Sequence, residues 1–217
     1  MSLRGYQTEV IRLSNAYNIL VAGVGGQGNL VCGRALANAS YAQGMKPVVG
    51  QIFGVSQRGG SVCTHIRIAD HDTGPLIPRG RVDMLLGLEP LESLRAAVDY
   101  AGPQTTVVLS TMEVRTTATR GKEDGHPSSD KIVDALATIC AKVYPVDAGA
   151  ALKAIGTARA LNAYMLGALA ALNNTPLQAD NIKGSLAEII PLTGMNLAAF
   201  GAGAQDIMDV TPVGRNV

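Results

Sequence analysis

The residues best placed to do chemistry form a glycine run, Gly23-Val24-Gly25-Gly26-Gln27-Gly28, followed by Asn29. The apolar stretch Asn18 to Ala22 precedes it and a stretch rich in small residues, 29–43, follows, so the pattern predicts strand, turn and helix. Glycine permits positive φ there, and without a Cβ another group can approach the bare N–H groups at the helix start. That is the chemistry of an anion or cofactor cradle. A dinucleotide site of this type also needs an acidic residue about 20 positions on, to hold a ribose. None exists: residues 10–69 contain no Asp or Glu, and carry Arg12, Arg34, Lys46, Arg58 and Arg67. A phosphate loop of the Lys-Ser/Thr type is excluded as well, because neither residue follows Gly28. Two readings stay open, a cradle or a tight turn that lets a small-residue helix pack close to a sheet. A stand-alone Rossmann-type nucleotide-binding oxidoreductase is the alternative, with Lys46 as its one support for a phosphorylated nicotinamide.

A second cluster is Ser56-Gln57-Arg58-Gly59-Gly60-Ser61. The Arg58 guanidinium is a planar fork of donors suited to carboxylate or phosphate, and the glycine pair frees the backbone for close approach. In a doubly wound sheet this loop can lie beside the first glycine turn. Other reactive residue types are scattered. Cys32, Cys63 and Cys140 contain no C-x-x-C pair, and His65, His71 and His126 do not share metal-ligand spacing, so no metal site is expected. Glu89 and Asp147 stand at strand ends, where a helix cap is the simpler role for a carboxylate.

These residues need a scaffold, and the rest of the 217-residue chain describes one. Hydrophobic residues make up 47% and charged residues 16%, enough apolar content for one buried core with decorations. The net charge of +1, the absence of Trp and the presence of only two Phe argue against nucleic-acid binding, which needs a basic excess or stacking platforms. No apolar run reaches the roughly 18 residues of a membrane span, and no leader pattern opens the chain, so a cytoplasmic protein is expected. After a lead-in over 1–17, strands are expected at 18–22, 47–53, 61–68, 83–88, 105–110 and 143–147. In the third of these, Val62, Thr64, Ile66 and Ile68 share one face and Cys63, His65 and Arg67 the other, which suits a half-covered strand near an edge. Helices are expected at 29–43, from Pro90 with Leu91, Leu94, Ala97 and Val98 inward, and at 130–142, 158–172, 177–190 and 195–210. A long polar loop spans 111–129. Alternating strands and helices give an α/β class, a mostly parallel sheet with a helical C-terminal part.

Taken together, the chain resembles the γ-subunit family of 2-oxoacid:ferredoxin oxidoreductases, and within it the β-subunit branch of indolepyruvate ferredoxin oxidoreductase. The resemblance rests on NILVAGVGGQGNLVCGRALANAS at 18–40, GQIFGVSQRGGSVCTHIRI at 50–68 and PLIPRGRVDMLLGLEPLESLR at 75–95. VYPVDA at 143–148, ARALNAYMLGALAAL at 158–172 and MNLAAFGAG at 195–203 follow in the family's order. The lead-in and the polar stretch 111–129 depart from it. The resemblance implies a three-layer α/β/α, Rossmann-like domain over 18–217 with an edge strand pair. It also implies a multisubunit enzyme in which thiamine diphosphate, iron–sulfur clusters and coenzyme A turn a 2-oxoacid into acyl-CoA, CO2 and reduced ferredoxin. Family members hold thiamine diphosphate on other chains through a G-D-G motif and paired asparagines. Glu123-Asp124-Gly125 and Asn173-Asn174 imitate these poorly, so this chain is expected to bear no cofactor alone. It is expected to complete an assembly with a catalytic subunit, to meet ferredoxin only indirectly, and to self-associate when isolated. The residues Gly23, Gly25, Gly26, Gln27, Gly28 and Asn29, with Ser56, Gln57, Arg58, Gly59, Gly60 and Ser61, are expected beside the partner's cofactor or the coenzyme A path. In that expectation Gln27 bonds across the interface.

Overall fold

In a computed structural model, which describes residues 16–54, 60–113, 127–191 and 194–214, the side chains of β1 (Tyr17–Val24) alternate between two separate cores. Ile19 and Val21 join one core, Leu20 and Ala22 the other, and all four are solvent-free. A strand with period-two side chains and no polar face must be covered on both sides. The first core carries α1 (Asn29–Ala42), α4 (Ala148–Ile155), α5 (Leu161–Ala171), α6 (Ala179–Ala187) and α7 (Met195–Asp209); the second carries α2 (Pro90–Tyr100) and α3 (Ser129–Ile139). The result is the expected three-layer α/β/α arrangement.

Between the layers lies a seven-stranded sheet in the order β2-β3-β1-β4-β5-β6-β7, where β2 is Lys46–Phe53, β3 Ser61–Ala69, β4 Met84–Gly87, β5 Thr106–Ser110, β6 Lys142–Val146 and β7 Val213–Gly214. Its centre, β1-β4-β5-β6, is parallel. Its edges are antiparallel: β3 pairs with β1 and with β2 on one side, and β7 with β6 on the other. The predicted edge pair is therefore β2–β3. In β3 the predicted alternation holds, with Val62, Thr64, Ile66 and Ile68 buried.

Several boundaries differ from the sequence expectation. The helix expected to reach 142 stops at Ile139, because Cys140 is already extended and Ala141 N–H donates to the Thr105 carbonyl, drawing the chain into the sheet. Residues 148–155, unassigned in the sequence, form α4: Asp147 caps it by accepting from Ala150 N–H, and Gly156 ends it at φ 89°. The expected helix over 158–172 divides into a 3-10 turn, Ala158–Ala160, and α5. In α2 the inward face is rotated: Ser93, Ala96 and Ala97 are buried while Val98 is 69% exposed. Small residues win because Gly87 of β4 admits Ser93 too closely for any Cβ there.

Close approach also governs the C-terminal helices. α5 is buried around most of its circumference, between the sheet and α7. Gly167 and Gly203 make the α5–α7 contact possible: a Cβ on Gly167 would overlap the Phe200 carbonyl, and one on Gly203 the Tyr164 carbonyl. Gly201, two residues away and on the exposed face of α7, meets nothing. Gly203→Val is expected to lower unfolding free energy by about 1–3 kcal/mol or more in denaturant titration, since the helices must separate. Gly201→Ala is expected to raise it by up to about 1 kcal/mol, from helix propensity alone.

On its second face β3 carries His65, which is fully buried because the chain around Pro75–Ile77 crosses over it. Its Nδ1 accepts from Ile77 N–H at 3.3 Å, and its ring meets Tyr100 edge to face at 4.8 Å. Burial lowers its pKa from the ordinary 6.5. The unfolded chain therefore takes up this proton first as pH falls, and stability declines below about pH 6.5. Urea titrations at pH 7.5 and 5.5 are expected to show that decline in the wild type and a smaller one in His65→Gln, which keeps an acceptor but does not titrate.

Candidate functional site

The glycine turn leaves the C-terminal end of β1 and enters α1 on one face of the sheet; the chain leaving β4 at Leu88 enters α2 on the other face. The ends of β1 and β4 thus flank the point where connections diverge, the usual ligand crevice of a parallel sheet. Here a side chain bridges it. Gln27 Oε1 accepts from Val24 N–H at 2.7 Å, and Gln27 Nε2 donates to the Leu88 carbonyl at 3.1 Å. Asn29, only 3% exposed, donates from Nδ2 to the Val24 carbonyl, and its Oδ1 is buried without a hydrogen-bond partner. Gly23 leaves room for both: a Cβ there would lie 2.8 Å from Gln27 Oε1 and 3.1 Å from Asn29 Oδ1. Gly23, Gln27 and Asn29 therefore form one plug. Each polar end of the Gln27 amide thus has a partner within this chain.

The other glycines serve the backbone. Gly26 sits at φ 100° and Gly28 at φ 85°, the latter at the cap position of α1. Asn162 of α5 presses on Gly28, leaving no space for a Cβ, and its Oδ1 faces the Cys32 thiol at 3.4 Å. Asn162 was not among the sequence candidates, and no local spacing marks it. No side chain caps α1 and no acid lies in its first turn, so nothing in that turn offsets the positive end of the helix dipole. A cleft of about 350 Å³ opens there, floored by Gly25, Gly26 and Gly28 and walled by Leu30, Val31, Phe53 and Val62. Leu30 and Phe53 are 44% and 57% exposed.

The two predicted loops meet. Gly25 N–H donates to the Gly60 carbonyl at 2.9 Å, and Val24 pairs with Ser61 in the β1–β3 ladder. Ser56, Gln57, Arg58 and Gly59 lie outside the described residues. Gly54 N–H bonds the Ser61 carbonyl, extending the β2–β3 pairing one residue past Phe53.

Elsewhere the candidates have structural roles. Glu89 caps α2, accepting from Glu92 N–H at 2.7 Å. Burial pushes the Cys32 thiol up to about 12 and the Cys63 thiol to about 11, so neither is a thiolate near neutrality. None of the three cysteines is in a disulfide, and among the described residues no three His, Cys, Asp or Glu converge as metal ligands. These residues do not fit an iron–sulfur cluster. Nor does the paired asparagine fit a thiamine site: Asn174 Nδ2 is bonded to Thr106 Oγ1 at the start of β5, the opposite end of the sheet from the glycine turn. Glu123-Asp124-Gly125 lies outside the described residues. A polar hollow of about 390 Å³ occupies that opposite end, and two of its lining side chains, Arg67 and Asp83, are tied to Asn18. No described helix is long and apolar enough to cross a membrane.

The geometry also separates this turn from a dinucleotide site. There the strand next to β1 is parallel and its end supplies the ribose-holding acid. Here β1 is flanked on that side by antiparallel β3, and β2 lies one position farther out.

Comparison with known proteins agrees with this arrangement. An indolepyruvate oxidoreductase subunit IorB from Archaeoglobus fulgidus is 32% identical over 197 residues, covering 90% of this chain and 97% of its own. One of the same description from Methanothermobacter thermautotrophicus is 34% identical over 189 residues, covering 86% and 95%. Among solved structures, a keto/oxoacid ferredoxin oxidoreductase γ subunit from Geobacter sulfurreducens shares the fold with a TM-score of 0.63 at 19% identity, covering 89% of this chain and 99% of that one. A 2-oxoglutarate:ferredoxin oxidoreductase from Magnetococcus marinus, with 2-oxoglutarate, coenzyme A and succinyl-CoA bound, shares it with a TM-score of 0.66 at 20% identity. This one covers 92% of the present chain but only 32% of its own, so there the fold is part of a longer polypeptide. Residues 18–205 match the family described as pyruvate ferredoxin/flavodoxin oxidoreductase, and the chain belongs to that family.

Proposed function

We propose that this chain is the accessory subunit of a multisubunit, indolepyruvate-type 2-oxoacid:ferredoxin oxidoreductase. It completes the assembly and bears no cofactor itself. Residues 18–217 act as one domain, with 1–17 as lead-in, and the complex works in the cytoplasm. Thiamine diphosphate and iron–sulfur clusters, held by partner subunits, supply decarboxylation and electron transfer to ferredoxin. Coenzyme A takes the acyl group.

The observation that carries this reading is the cleft beside the glycine turn. It joins an uncapped helix start, bare glycine backbone and an exposed apolar wall in an acid-free stretch of sequence. Uncapped N–H groups favour an anion, and the apolar wall favours a surface or group that covers it. The plugged crevice between β1 and β4 points the same way: Gln27 fills from within the place where a self-sufficient α/β enzyme would hold its ligand. What this chain contributes is then external, a rigid shoulder with positive potential against a neighbour's active site. The indolepyruvate relatives and the coenzyme A-bound neighbour support the choice of reaction class.

In this reading Arg58, in the stretch Ser56–Ser61, pairs with a carboxylate or phosphate of the bound substrates. Arg58→Ala in the reconstituted complex is expected to reduce turnover or raise the KM for coenzyme A by about tenfold. Tenfold is about 1.4 kcal/mol, the lower end of what one hydrogen bond to a charged group contributes. Assembly, followed by size-exclusion mass, is expected to be retained. A complex that forms normally with unchanged turnover and coenzyme A affinity would remove the loop from the site.

A further inference from the structure

The outer edge of the sheet at β2 adjoins the cleft through Phe53 and has a pairing geometry of its own. Gly54 N–H bonds the Ser61 carbonyl, which makes that pair a hydrogen-bonded one in the antiparallel ladder. With the observed register, Val48, Gly50 and Ile52 then direct their N–H and C=O groups toward β3. Pro47, Val49, Gln51 and Phe53 direct theirs outward. Pro47 agrees with this phase, since a strand proline must sit where no ladder donor is needed. Among the described residues nothing pairs with that outer row.

Native edges are usually blunted by charge, proline, a bulge or a covering element. On β2 the only charge is Lys46 and the only proline is Pro47, both at its first two positions. The register with β3 runs one to one, without a bulge. Among the described residues nothing covers the edge from Val49 to Phe53, and Val49, Ile52 and Phe53 are 39%, 38% and 57% exposed.

We propose that β2 pairs antiparallel with β2 of a second copy about a two-fold axis at Gln51, joining two sheets into one. In that register Val49 faces Phe53 of the second copy and Phe53 faces its Val49. Gln51 faces Gln51. Each pairing exchanges both N–H···O bonds. Pro47, the one position without a donor, falls outside this stretch. On the α1 face two Val–Phe pairs flank a pair of amides that can bond each other. On the other face Ile52 lies opposite Gly50, large against small. No charged residue occurs between 47 and 54, so two copies bring no like charges together. The segment is complementary to itself, as a two-fold interface requires.

Sedimentation velocity of the purified full-length chain across a concentration series tests this. The mass is expected to rise toward twice the 22.4 kDa monomer. Gln51→Pro removes an outward donor and no bond to β3; it is expected to weaken the dimer at least about tenfold, about 1.4 kcal/mol, with the far-UV circular dichroism retained. Should proline disturb folding, Val49→Lys, which sets charge into the pair with Phe53, is expected to do the same. Gln51→Cys is expected to give a disulfide-linked dimer on mild oxidation, whereas Val48→Cys is not. A monomer at every concentration overturns the proposal, as does a dimer indifferent to both Gln51→Pro and Val49→Lys. A chain that is monomeric alone, with Gln51→Pro impairing only assembly with the catalytic subunit, assigns the edge to that subunit and equally overturns it.

Discussion

One amide side chain sets the character of the C-terminal end of this sheet. Gln27 holds the backbone of its own turn through Oε1 and the exit of β4 through Nε2. Both bonds are part-buried, where an unmet amide would be costly. By bridging β1 and β4 it closes the crevice in which an α/β protein ordinarily seats a ligand, and it fixes the glycine turn at the same time. The turn can then expose its backbone on the far side, toward Phe53 and Val62, without losing its shape. A rigid, externally directed cradle suits a subunit that acts on something held by another chain.

That rigidity is transmitted by close packing. α1 lies on β3 with Gly33 against Thr64 Cγ2, where a Cβ would come within 2.6 Å. Asn162 of α5 abuts Gly28 at the helix start, and α5 is in turn locked to α7 through Gly167 and Gly203. The chain of small-residue contacts runs from the C-terminal helix to the glycine turn. Interiors packed this way resist gradual deformation, which holds the cleft to one geometry.

Much of this was legible in the sequence because it is local. Apolar runs and alternation fix β1, β3, β4 and β5, and strand-end carboxylates announce the caps at Glu89 and Asp147. The glycine turn and its helix also follow from spacing. What escaped depends on distant partners. β7 is two residues long and exists only because β6 offers an edge. The end of α3 is set by the Thr105 carbonyl, since the run from Ile132 to Val143 has no polar break strong enough to stop it. α4 is too short to show a period, although Asp147 and Gly156 bracket it. At the site, the type of residue 27 was informative but its direction was not: an amide after a glycine pair can face a partner or its own strand. The space that decides it belongs to Gly23 and Leu88, the latter 61 residues away.

The two edges of the sheet then differ for a physical reason. β6 is finished by β7, which arrives from the end of α7 and satisfies part of its outer row. β2 has no such cover among the described residues, and it lies beside the cleft, with Phe53 belonging to both surfaces. An apolar edge left open next to a polar-backbone cradle is unstable as a free surface: its N–H and C=O groups tolerate water, but Val49, Ile52 and Phe53 gain by leaving it. The location of Phe53 means that whatever covers the edge also narrows the cleft, so association at β2 and access to the glycine turn are coupled through a single aromatic ring.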